Sequence, residues 1–104
     1  MLFVAWSIVP FAVEAKDILI AISNISFSPQ AIRATEGDRI TWINNDGVLH
    51  EIYFASNPTN SGGQHLRYQL RTKQSVSLIV SKPGDYYYVC RWHGISGHIH
   101  VDQK

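Results

Sequence analysis

The 104-residue chain balances nine Lys and Arg against eight Asp and Glu, a formal net charge of +1, with 45% hydrophobic and 16% charged residues. That length supports one domain and not two. A near-neutral balance without a basic stripe excludes the footprint of a nucleic-acid binder, and the short mixed tail after Gly97 excludes a charged arm.

The run from Met1 to Ala15 is apolar and too short for the roughly 18 to 20 residues of a spanning helix. Pro10 also breaks a helical interior. Val13 and Ala15 stand where small residues precede a signal-peptidase cut. Residues 1–15 are therefore expected to be a secretory signal, although no Lys or Arg precedes the apolar run. Left uncleaved, the segment would tether the domain to a membrane. Cleavage leaves residues 16–104 as the mature domain and removes Met1, the only methionine.

Short runs rich in Ile, Val, Tyr and Thr then follow, separated by turn residues. Asp17–Ile22 reads as the first strand. Residues 25–28 form a second that stops at Pro29, and residues 31–34 a third. After a turn at Glu36-Gly37-Asp38, Arg39–Asn44 alternates with Ile40, Trp42 and Asn44 on one face. Asn45-Asp46-Gly47 is a strong turn signal, and His50–Phe54 is the next strand. Residues 55–65 read as an irregular surface loop in which His65 is solvated. Leu66–Leu70 and residues 75–80 are strands, Lys82 to Asp85 a turn, residues 86–90 a strand with alternating Tyr rings, and residues 98–101 the last. Seven or eight strands without an amphipathic helix predict an all-β, Greek-key β-sandwich or barrel.

Cys90 is the single cysteine, so an exported chain has no internal disulfide to make and its thiol is spare or occupied. A bound metal is the natural occupant. A strand delivers Cys90 to its end, and two residues, Arg91 and Trp92, bring back His93. One sulfur and one imidazole then reach the same point from one hairpin end. His50, which follows a turn and begins a strand, is well placed to supply a third donor. Two imidazoles and one thiolate form the ligand set of blue-copper centres.

The same stretches resemble the plastocyanin/amicyanin-like cupredoxins, the blue type 1 copper family. They are Phe27-Ser28-Pro29, Gly37 to Asp46 running into His50, Pro83-Gly84-Asp85-Tyr86-Tyr87-Tyr88-Val89-Cys90, and Gly97-His98-Ile99-His100-Val101. The resemblance implies a cupredoxin fold and a periplasmic one-electron carrier that cycles one copper ion between Cu(I) and Cu(II). It implies His50, Cys90 and His93 as the strong ligands. The family's axial methionine is missing, and Ile95 stands in its place, which predicts a three-coordinate site. The spacing C-x2-H-x4-H is also similar to the red copper protein nitrosocyanin, which makes His98 or Glu51 an alternative extra ligand. Strand alternation opposes both, because Ile99 and Val101 look like core and Glu51 faces away from His50.

Three functions compete at this stage. An electron carrier, docking a redox partner protein near His93, Trp92, Leu49 and Ile95, fits a fixed site of one cysteine and two histidines. A copper-delivery module without redox cycling is expected to have exposed, Met- or His-rich ligands. An enzyme is expected to show an acid/base pair beside a pocket, and no catalytic residue is assigned. The carrier is expected to be a monomer that takes neither nucleic acid nor a small-molecule substrate.

Overall fold

The computed structural model describes residues 14–60 and 62–104, so the expected signal segment lies almost wholly outside the described residues. Among the described residues nine strands form: β1 Asp17–Ile22, β2 Phe27–Ser28, β3 Ala31–Thr35, β4 Arg39–Asn44, β5 His50–Phe54, β6 Leu66–Leu70, β7 Ser75–Ile79, β8 Gly84–Cys90 and β9 Ile95–Asp102. They build a four-stranded sheet in the order β2-β1-β4-β7 and a five-stranded sheet in the order β3-β9-β8-β5-β6. The pairs β1–β4 and β3–β9 are parallel, and the remaining pairs are antiparallel. Among the described residues no helix is long and apolar enough to cross a membrane.

Period-two alternation sorts the side chains. In β4, Ile40, Trp42 and Asn44 turn inward. In β8, Tyr86, Tyr88 and Cys90 turn inward, while Tyr87 between them is 66% exposed. Trp42 of the smaller sheet meets Phe54 and Tyr88 of the larger one edge to face, with centroids 5.9 and 5.3 Å apart. Phe27 adds a third such contact to Tyr88 at 4.7 Å. This aromatic cluster joins the two layers, and each such side chain contributes about 1.5–3 kcal/mol on burial.

The β8–β9 hairpin carries the register that matters most. Cys90 pairs with Ile95 at its turn end, and Tyr88 pairs with Gly97. A Cβ on Gly97 would lie 2.1 Å from the Tyr88 ring, so only glycine lets that ring lie flat across β9.

Three elements differ from the sequence reading. The β8 strand begins at Gly84, within the expected turn at residues 82–85, because its pairing with β9 runs out to Gly84–Val101. The second strand is only Phe27–Ser28, because Asn24 and Ile25 both adopt φ of 52° in a turn closed by reciprocal Ser23–Ser26 backbone bonds. The last strand starts at Ile95 rather than His98, because its pairing with β8 continues to Cys90.

Candidate metal centre

The turn between β4 and β5 is built by side chains acting on backbone. Asn44 Nδ2 donates to the carbonyls of Val48 and Leu70, both at 2.8 Å. Asn44 Oδ1 accepts from Asp46 N at 2.8 Å, and Thr72 Oγ1 donates to the Asp46 carbonyl at 2.7 Å. The Asp46 carboxylate caps the neighbouring turn by accepting from Asn24 N at 2.7 Å and Ile25 N at 2.9 Å. Its Oδ2 also lies 2.8 Å from His50 Nε2. Burial pushes the Asp46 carboxyl up, but the Ile25 and Asn24 amides and the His50 ring outweigh it and hold the group below its ordinary value.

An acceptor at Nε2 places the ring proton there and leaves the His50 Nδ1 lone pair free. That nitrogen is buried and has no hydrogen-bond partner, an arrangement costing about 1–3 kcal/mol unless something takes the lone pair.

Cys90 ends β8 fully buried. The chain then turns tightly: His93 N and Gly94 N both donate to the Cys90 carbonyl, at 3.3 and 3.0 Å. Gly94 takes the left-handed φ of 65° that ends the turn. His93 Nδ1 thereby comes to 3.3 Å from Cys90 Sγ, and its ring lies 4.7 Å from that of His50. The donor atoms of His50, Cys90 and His93 all fall within 4.8 Å of one another, the only such group of three among the described residues. His50 and Cys90 are buried and His93 is exposed. The sulfur accepts Glu51 N–H at 3.4 Å. One soft sulfur, two imidazole nitrogens and an orphaned buried lone pair suit a copper ion.

The other histidines and Glu51 direct their donors elsewhere. The Glu51 carboxylate is fully buried between Arg67 and Arg91. His98 and His100 share one Asp85 oxygen, at 2.9 and 2.7 Å. His65 Nδ1 lies 3.1 Å from the Ala55 carbonyl, and the ring stacks on Tyr53. Ile95 sits directly opposite Cys90 in the hairpin, half-buried against the core. Leu49 and Trp92, each next in sequence to a donor histidine, are 41% and 46% exposed.

The sequence reading treated Asp46 only as a turn former and gave Arg67 no role. An acidic residue four positions before a candidate ligand was the available signal for the first. Nothing local marked the second.

The family model of the copper binding proteins, plastocyanin/azurin family, matches residues 15–102. Amicyanin-alpha of Methylorubrum extorquens is 28% identical over 74 residues, which are 71% of this chain and 61% of its own. The match thus spans less than two thirds of that relative. Plastocyanin of Scenedesmus fuscus is 31% identical over 83 residues, 72% of this chain and 85% of its own. A mutant of amicyanin in its Cu(I) form superposes with a TM-score of 0.74 at 25% identity, over 83% of this chain and 82% of its own. Other amicyanin mutants of the same likeness were solved in reduced and in oxidised states.

Proposed function

This chain belongs to the plastocyanin/azurin family of copper binding proteins and takes one copper ion, and from that premise we propose that it is an exported, monomeric one-electron carrier whose ligands are His50, Cys90 and His93. The observation that carries the reading is the convergence of those three donors within 4.8 Å, from the start of β5, the end of β8 and the turn that follows it.

Copper supplies a one-electron Cu(I)/Cu(II) couple, and amicyanin, to which the chain is similar, has been solved in both reduced and oxidised states. The protein's task is to hold the donors so that neither state demands rearrangement. Asp46 orients His50, the β8–β9 hairpin fixes Cys90, and the Gly94 turn returns His93. Burial of Cys90 and His50 keeps water from the sulfur. His93 is the exposed donor and marks where an electron enters and leaves. Trp92 and Leu49 offer apolar surface beside it on which a redox partner protein docks briefly. Ile95 brings no donor, so the site has three strong ligands and no axial methionine, which favours Cu(I) and raises the potential.

The test is to load the purified protein with Cu(II) and record its visible and EPR spectra. An intense thiolate-to-copper band with narrow hyperfine splitting supports the reading, and Cys90→Ala abolishes the band. Colourless, weakly held copper overturns it. A potential below that of methionine-ligated relatives overturns the three-ligand assignment.

A further inference from the structure

We propose that Glu51 is a positioning residue, whose buried carboxylate, gripped by Arg91 and Arg67, locks the Cys90–His93 loop onto the strand that carries His50. The inference rests on the ligand set proposed above. It concerns what holds those ligands in place before metal arrives.

Residue 51 reaches the loop from both of its ends. Its backbone N–H donates to Cys90 Sγ at 3.4 Å. Its carboxylate accepts from the next residue along, with Arg91 Nε at 2.8 Å from Oε1 and Arg91 Nη2 at 3.0 Å from Oε2. This fork-on-carboxylate geometry fixes direction as well as distance. Arg91 also lies 4.1 Å over the ring of Tyr53, which shares a face of β5 with Glu51. The loop's first residue is therefore held by a carboxylate and an aromatic face of the strand that starts at His50.

Arg67 closes the other side. It comes from β6, where it pairs with Tyr53, and its Nε stands 2.6 Å from Glu51 Oε2. Together the two arginines cover the carboxylate completely, although each remains about half exposed. Facing two guanidiniums at 2.6 and 2.8 Å, the carboxylate keeps both in place. A desolvated ionic triad tolerates few alternative arrangements, which suits a device that specifies one loop conformation.

The test compares wild type with Glu51→Gln, Arg91→Lys and Arg91→Gln, and with the double variant Glu51→Gln/Arg91→Gln. Arg91→Lys keeps the charge, loses the fork and sits half exposed, so it reports even if Glu51→Gln fails to fold. Two readouts are taken. In the metal-free chain, amide hydrogen exchange of residues 91–94 is expected to quicken at least tenfold in each single variant while the β4 amides stay protected. In the copper-loaded chain, release of copper to a chelator is expected to quicken about tenfold, with a shifted EPR signal, and the double variant is expected to be no worse than the worse single one. Unchanged loop exchange in the metal-free variants overturns the proposal, as do fully additive effects in the double variant. Failure of wild type to form a coloured centre overturns the ligand set instead, and the metal-free exchange still decides the role of Glu51.

Discussion

His50 Nε2 and Asp46 Oδ2 meet at 2.8 Å, with the imidazole fully buried and the carboxylate nearly so. The same carboxylate caps the Ser23–Ser26 turn, so the orientation of one ligand ring is tied to the packing of a loop more than twenty residues upstream. Asp46→Ala removes both anchors. Copper affinity is expected to fall about 10- to 100-fold, read by competition with a chelator of known affinity. Unchanged affinity would show that the ring is oriented by its other neighbours.

Ile95 stands opposite Cys90 where the hairpin turns and brings only hydrocarbon. Ile95→Met is expected to add a weak axial donor, lower the reduction potential and alter the EPR rhombicity. Redox titration of the copper-loaded variant checks this. A potential equal to or above that of wild type would mean that position 95 does not look onto the metal.

Gly97 lies beneath the Tyr88 ring with no room for a methyl group. Tyr88 in turn contacts Phe27, Trp42 and Phe54. Gly97→Ala must push the ring out of that cluster, a cost of about 1–3 kcal/mol from overpacking. Urea denaturation of the metal-free protein measures it, and a midpoint unaltered from wild type would contradict the packing described.

On the outer face of the larger sheet, His100 contacts Asp85 at 2.7 Å and Asp102 at 3.2 Å, with His98 and Arg33 completing the group. The Asp85 contact raises His100 above its ordinary 6.5, and His100 with His98 holds Asp85 below its ordinary 3.8. A raised histidine stabilises the fold fully below 6.5, and this contribution is lost as pH rises through its folded value. The lowered Asp85 contributes above 3.8 and loses that contribution as pH falls through its own. The stability difference between wild type and Asp85→Asn should therefore be largest between these limits and narrow as pH rises above 6.5 through the folded value of His100. It should shrink in salt, since all five groups are at least partly solvated. NMR titration should show His100 moving down in the variant, and an unmoved His100 would refute the pairing.

Alternation made β4 and β8 legible residue by residue, because Ile40, Trp42, Tyr86, Tyr88 and Cys90 have one buried face to choose. The spacing of Cys90 and His93 was legible for the same reason: two residues between them leave room only for a tight turn. Ile25 was not legible. It reads as a strand former, yet Asp46 caps its amide and holds it in the left-handed region. Glu51 was read as facing away from His50, but not as buried, since its cover comes from Arg67 and Arg91, sixteen and forty positions away. Partners brought together by the sheet leave no periodic trace in the chain.

The lone free cysteine has a consequence for how the fold comes apart. With no disulfide available, copper held by the proposed ligands His50, Cys90 and His93 would tie together residues about 40 positions apart in the folded chain. An ion that binds the folded donors and not the unfolded chain stabilises the fold by its own binding free energy. Losing the ion and losing the fold should then be one event, with bleaching and melting at the same temperature. The metal-free form should melt earlier and leave its thiol open to oxidation.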